Sequence, residues 1–202
     1  MAIESATAPA QRRRIRLGMV GGGQGAFIGG VHRIAARLDD QYELVAGALS
    51  SDASRAGASA TELHITPGRS YADFREMAMA EAARPDGIDV VAIVTPNHLH
   101  GRIASAFLDA SIHVVCDKPL TTTLAEALEL VQRVRKSKCL FALTHNYSGY
   151  PMVRQAREMV AGGELGEIRV VQAEYPQDWL STDLEATGQK QATWRVDPAQ
   201  AG

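Results

Sequence analysis

One stretch limits the possible folds more than any other: IRLGMVGGGQGAFIGG, residues 15–30. The aliphatic run Ile15 to Val20 reads as a strand, and it ends in glycines at positions 21, 22, 23 and 25. Gly29 and Gly30 follow, and Val31 to Leu38 has the spacing of a helix. A strand that turns on glycine into a helix lets the backbone come close to a pyrophosphate. The phosphate charge then rests on the amides and positive end of that helix. Gly21, Gly23, Gln24 and Gly25 are therefore candidate cofactor contacts. GGGQGA and GQGAFIGG offer overlapping registers, so the three fingerprint roles can be filled in more than one way. A glycine-rich loop can also be a mere turn, but the strand before it and the helix after it favour a phosphate cradle.

The rest of the chain alternates short aliphatic runs with longer amphipathic ones, as a parallel sheet with crossover helices does. Tyr42 to Leu49, Ile112 to Cys116 and Leu140 to Thr144 read as strands. Asp89 to Val94 is almost continuously apolar, the mark of a strand buried on both faces. Helices are expected over Asp52 to Leu63, with Asp52 as N-cap, and over Tyr71 to Ala83, His98 to Ala110 and Leu124 to Lys136. The expectation is an α/β fold, a doubly wound parallel sheet, with ligands bound beyond the carboxyl ends of the strands. After Pro151 a helix from Met152 to Ala161 ends at Gly162-Gly163, and Ile168 to Tyr175 resumes as a strand. That strand reads as the start of a second domain. The expected organisation is a flexible tail over 1–14, a dinucleotide-binding domain over 15–146 and the beginning of a substrate domain over 147–202.

Composition removes several function classes. With 21 Lys+Arg against 23 Asp+Glu the net charge is −2, which favours neither nucleic acid nor an anionic membrane surface. Cys116 and Cys139 cannot form a disulfide framework, and reduced thiols in a cytoplasmic protein are the plain reading. Arg12, Arg13 and Arg14 superficially resemble an export signal, but the segment after them is too glycine-rich to be its apolar region. No run approaches the length of a membrane span.

The segments at the strand ends carry the chemistry. A nucleotide site commonly supplies an acid for the adenosine ribose about 20 residues after the fingerprint. Here Ser50 and Ser51 stand at the end of the second strand, removing a charge that would repel a 2′-phosphate, and Arg55 offers a cation. NADP would be accepted on that reading. On the alternative, the serines cap the helix and Asp52 holds the ribose of NAD.

Asp117-Lys118-Pro119 follows another strand, where the lysine can point into the crevice and hydrogen-bond a substrate hydroxyl. Acting as a base rather than a fixed cation requires burial or a nearby positive charge. Thr95-Pro96-Asn97, with His98 and His100, opens a helix at the same edge, where the histidines can touch a cofactor or serve in capping and packing. His32 suits a structural contact. His145, Asn146, Tyr147 and Tyr150 suit either the substrate side or a hinge. No spacing argues for metal.

Together these stretches resemble the glucose-fructose oxidoreductase, inositol dehydrogenase and MocA (Gfo/Idh/MocA) family. The matches are GMVGGGQGAFIGGVHR, YELVAGALSSDASRA, SYADFREM, DVVAIVTPNHLHGRIASAFLDASIHVVCDKPL, GELGEIRVVQAEY and TWRVDPAQAG. The pairing of TPNHLH with HVVCDKPL is the specific part. The resemblance implies a Rossmann domain that binds NAD or NADP through Gly21, Gly23 and the glycines after them. It implies nicotinamide-side contacts around Thr95, Pro96, Asn97 and His100, and a catalytic Lys118, in DKP where the family more often has EKP. Asp117 would face the nicotinamide ribose. Candidates on the substrate side are Lys118, Asn146, Tyr147, Trp194 and Arg195.

Family members move a hydride to or from a hydroxyl-bearing carbon of a sugar, cyclitol or polyol, and they form homo-oligomers through the second domain. Two departures stand out. His32 falls eleven positions after Gly21, later than in the commoner pattern, so the glycine loop is long. The sequence given also stops at Gly202, before the segment expected to carry an acid/base histidine, which reads as an incomplete α+β second domain. Dinucleotide binding with poor turnover is the resulting expectation. The rival reading is a non-catalytic dinucleotide-binding sensor or assembly module.

Overall fold

A computed structural model describes residues 13–176, 178 and 181–201. Five parallel strands form one sheet: β1 (Ile15–Gly21), β2 (Tyr42–Ala48), β3 (Val90–Val94), β4 (His113–Asp117) and β5 (Phe141–Thr144). Their order is β2-β1-β3-β4-β5, so the direction of winding reverses between β1 and β3. The apolar run in β3 is buried at all five positions, as its sequence requires. Its side chains alternate between two cores. Val91 and Ile93 pack with Met77, Phe107 and Val114 on one face, while Val90, Ala92 and Val94 pack with Leu17, Met19 and Leu49 on the other. The registers Gly21↔Val94, Ile93↔Cys116 and Asp117↔Thr144 bring the carboxyl ends of four strands to a common edge.

The five strand runs read from the sequence for this sheet are its five strands, and outside β2 the chain adds a single parallel bridge between Gly47 and Ser70. That bridge corrects the start of the helix read from Tyr71. The Tyr71 N–H donates to Gly47 O at 2.9 Å and Gly47 N–H to Arg69 O at 3.0 Å, so the chain stays extended until Asp73. The Asp73 carboxylate then accepts the N–H groups of Arg75 and Glu76 and starts α3 (Phe74–Ala82). Beneath the bridge lies a buried knot. The Glu81 carboxylate accepts from the Arg69 guanidinium, from Tyr71 Oη at 2.8 Å and from the Ile88 N–H at 3.1 Å.

The other helices are α1 (Phe27–Leu38), α2 (Ala53–Glu62), α4 (His100–Asp109), α5 (Leu124–Lys136), α6 (Pro151–Ala161), α7 (Lys190–Arg195) and α8 (Pro198–Ala201). Asp52 caps α2 as expected, accepting the Arg55 N–H at 2.7 Å. Thr123 caps α5, and Pro151 supplies the preset first turn of α6.

Two further expectations change. Residues 1–12 of the tail lie outside the described residues, but Arg13 and Arg14 are held: Arg13 grips Asp89 with two hydrogen bonds of 2.6 and 2.8 Å, and Arg14 reaches Asp40 at 2.8 Å. Ile168 to Tyr175 joins no ladder among the described residues, and Val170 and Val171 are 83% and 81% exposed. The apolar pattern is present, but no neighbouring strand meets its backbone groups.

Candidate functional site

The site forms where the winding reverses, at the carboxyl ends of β1, β3 and β4. Gly21 and Gly22 have φ of +80° and +75°, left-handed values that glycine adopts at little cost. A Cβ on Gly21 would lie 2.9 Å from the Val94 carbonyl, and one on Gly29 would lie 2.7 Å from the Gly22 carbonyl. Gly21 and Gly22 therefore make the turn, and Gly29 lets α1 pack on the loop. The overlapping registers are settled by packing.

Two partly buried contacts pin the loop. The Gln24 N–H donates to Ser59 Oγ at 3.0 Å, whose hydroxyl donates to Arg55 O at 2.7 Å. Arg33 donates to Gly22 O at 2.7 Å, and burial lowers its pKa. Gln24 Nε2 also reaches Glu62 at 2.9 Å. Gly22 to Ala26, Arg33, Ser59, Glu62 and Leu63 line a cleft of about 90 Å³ here. The larger concavity, about 440 Å³ between α4 and α5, lies at the opposite edge of the sheet among Asp109, Glu129 and Arg133 and touches none of this chemistry.

The site fits a dinucleotide. Ala26 at the N-cap of α1 has no side chain to occupy the first amides, and the first turn carries no acid, so these amides suit a phosphate. At the end of β3 the Thr95 hydroxyl and His98 Nδ1 are buried without a hydrogen-bond partner. Unmet polar atoms at this edge suit the other half of the ligand. Beyond β2, Ser50 Oγ accepts the Asp52 N–H at 3.1 Å, while Ser51 and Arg55 are exposed. Asp52, rather than either serine, caps the helix.

On the lysine side, Asp117 Oδ1 accepts from Thr144 Oγ1 at 2.8 Å and lies 3.7 Å from His32 Nε2. Burial alone would raise the Asp117 pKa, but the contacts from His32 and Thr144 outweigh it and hold the carboxylate ionised below its ordinary range. His32 thus makes its structural contact, joining α1 to the end of β4. Lys118 is exposed.

His100 is expected at the nicotinamide side, yet it is 1% exposed, with Nδ1 2.7 Å from Pro119 O and Nε2 2.9 Å from Thr95 O. Both ring nitrogens are taken up by main-chain carbonyls. Asn97 Nδ2 donates to Ala201 O at 2.8 Å, tying α8 to the turn after β3. Cys116 is a packed thiol whose pKa burial pushes up to about 12.

Asn146 and Tyr147 follow β5 in a short turn (Asn146–Gly149). Tyr147 Oη lies 2.7 Å from Tyr175 Oη, and Tyr147 and Tyr150 meet edge to face with ring centres 5.5 Å apart. The hydrogen bond with Tyr175 raises the Tyr147 pKa. Tyr175 escaped the sequence reading because it is 28 residues from its partner. Trp194 and Arg195 lie on α7 with the guanidinium 4.9 Å from the indole centre. Among the described residues no His, Cys, Asp and Glu cluster suits a metal, and no helix is long and apolar enough to cross a membrane.

A parallel doubly wound sheet with a glycine turn at its switch point defines the dinucleotide-binding class. More narrowly, the chain belongs to the Gfo/Idh/MocA oxidoreductase family and is NAD-binding. Residues 15–145 match the oxidoreductase family model with an NAD-binding Rossmann fold, and residues 153–202 match the Gfo/Idh/MocA C-terminal domain.

An uncharacterized oxidoreductase of Bacillus subtilis is 40% identical over 189 residues, 93% of this chain and 48% of that protein. An inositol dehydrogenase homolog of Azotobacter vinelandii, solved with NAD+, is 44% identical with a TM-score of 0.89, covering 94% of this chain and 49% of that one. An inositol dehydrogenase homolog of Azotobacter vinelandii solved with NADH and myo-inositol is 43% identical with a TM-score of 0.82, covering 87% of this chain and 46% of that one. Levoglucosan dehydrogenase of Pseudarthrobacter phenanthrenivorans is 29% identical over 195 residues, 94% of this chain and 47% of that protein. A levoglucosan dehydrogenase structure contains NADH and levoglucosan. The chain spans about half the length of these relatives.

Proposed function

We propose that this chain carries the dinucleotide-binding and lysine-bearing half of a dehydrogenase acting on a hydroxyl-bearing carbon of a sugar, cyclitol or related polyol. The observation that carries the reading is the meeting, at one sheet edge, of the glycine turn, the unmet Thr95 hydroxyl and the exposed Lys118. The turn at Gly21 to Gly25 and the open amides of α1 hold the pyrophosphate. Thr95, Pro96 and Asn97 border the nicotinamide. When bound, the nicotinamide ring supplies the hydride acceptor.

Because Lys118 is exposed, the positive charge of a bound nicotinamide is what would let its Nζ act as a base: it would hydrogen-bond the reacting hydroxyl and take its proton as the hydride leaves the same carbon, converting alcohol to carbonyl. Asp117, kept ionised by Thr144 and His32, fixes the strand end from which Lys118 projects. Tyr147 and Tyr175 offer hydroxyls and ring faces on the substrate side, suited to a polyhydroxylated ring. The inositol and levoglucosan bound by relatives support that substrate class. Residues 147–202 serve the substrate side, and 153–202 match the family's C-terminal domain. Because Ser50 and Ser51 leave no carboxylate beside the expected 2′ position and Arg55 is exposed there, NADP is accepted along with NAD.

Titration of the chain with NAD+ and NADP+ tests the reading. Both should bind, and Gly29→Val, which drives a side chain into Gly22, should weaken both at least tenfold. Tenfold tighter NAD+ than NADP+ binding in the unmodified chain would overturn the NADP part. Failure of the unmodified chain to bind either would overturn the whole.

A further inference from the structure

We propose that His100 is a positioning residue that straps the Lys118-Pro119 turn to the turn after β3 and so sets where the lysine stands against the nicotinamide. The strap rests on the proposed function above, because it matters only if Lys118 borders the nicotinamide.

His100 is the first residue of α4 and is buried to 1% exposure, so it acts through its contacts and not on a ligand. Its two ring nitrogens reach the main-chain carbonyls of the two segments that bound the nicotinamide side, Pro119 at 2.7 Å and Thr95 at 2.9 Å. Proline has no N–H, so its carbonyl is the polar main-chain atom through which Pro119 can be held. A neutral imidazole has a single N–H and donates to one carbonyl, while a proton on each nitrogen serves both. The strap to Pro119 calls for an N–H on Nδ1. Lys118 itself is exposed, so the course of its backbone decides where its flexible side chain begins. A displacement of about 1 Å at such a position can cost on the order of 100-fold in rate.

Isosteres separate the two contacts. The amide nitrogen of Asn overlays Nδ1 of histidine, and that of Gln overlays Nε2. His100→Asn therefore keeps the donor to Pro119, and His100→Gln keeps only the donor to Thr95. The readout is the ratio of affinities for NAD+ and ADP-ribose, measured by calorimetry on the 202-residue chain. ADP-ribose shares the adenine and pyrophosphate but lacks the nicotinamide.

His100→Gln should lower the NAD+ affinity relative to ADP-ribose by roughly tenfold, and His100→Asn should restore the ratio. Equal loss for both ligands in both variants, or an unchanged ratio in His100→Gln, would reduce His100 to a packing residue and overturn the strap. Nitrogen-15 spectra of the unmodified protein decide the matter if the variants do not fold: a proton on Nδ1 is expected, and a ring protonated at Nε2 alone refutes the contact to Pro119. Failure of the functional reading has a different signature, namely no dinucleotide binding by the unmodified chain.

Discussion

Residues 15–145 and residues 151–176 both carry apolar runs, yet they treat them in opposite ways. Val90 to Val94 is buried along its whole length between β1 and β4. Val170 and Val171 stand more than four-fifths exposed, and α6 has no buried residue. Alternating or continuous hydrophobicity states a willingness to be buried. Burial itself needs a partner edge for the backbone and a facing layer for the side chains. Within 15–145 each crossover helix supplies that layer, and each strand supplies an edge for the next. The tyrosine cluster at 147, 150 and 175 is the exception in the later segment, and it forms through side chains rather than a ladder.

The sharpest way to break the first region is at its buried ion pair. Glu81→Ala leaves the Arg69 guanidinium buried without its carboxylate and removes the partners of Tyr71 Oη and the Ile88 N–H. Burial and the hydrogen bond to Glu81 raise the Tyr71 pKa to about 12, so its hydroxyl stays a donor that needs this acceptor. Urea unfolding should show a loss of about 3–5 kcal/mol. A loss below about 1 kcal/mol would mean that the knot under the Gly47–Ser70 bridge does not hold the sheet's outer edge.

A smaller effect is expected at the amino edge. Asp89 accepts hydrogen bonds from Arg13 and, through its side chain and backbone, from Arg16, and these hold its pKa well below the usual carboxylate range despite partial burial. A carboxylate with a depressed folded pKa contributes stability above its unfolded value of about 4 and loses it as the pH falls through the folded one. Arg13 is 65% exposed, so the contribution is about 1 kcal/mol after solvent screening. Asp89→Asn should be less stable than the unmodified chain at pH 7, and the gap should close as the pH is lowered below about 4. A gap that persists unchanged at pH 2 would assign the effect to packing instead.

Local chemistry made much of the first region legible in the sequence. The capping Asp52, the continuous run in β3, the glycine turn and the DKP turn are each written in a few consecutive residues. What stayed hidden depends on distance along the chain. The stretch at Tyr71 looks helical until its hydrogen bonds to Gly47 are seen, and His100 looks like a ligand contact until Pro119 is found beside it. The part played by Tyr175 depends on Tyr147, 28 residues away, and that of Gly29 on its fit against Gly22. Ile168 to Tyr175 misled in the other direction, since its alternation carries no information about whether a partner strand is at hand.

That last segment gives the finest test of the comparison. Val171→Lys places a charge where the side chain is already 81% exposed, so it removes almost no buried apolar area. If the segment is unpartnered in the 202-residue chain, unfolding should shift by no more than about 0.5 kcal/mol, within the range of ordinary surface substitutions. Backbone amides at 168–175 should exchange hydrogen fast, because no ladder protects them, while those of Val91 and Ile93 should exchange only through global opening. A loss of 2 kcal/mol or more, with slow exchange at 168–175, would mean that a second copy or another surface of the chain covers the run in solution. The two regions would then differ in where their partner lies and not in whether they have one.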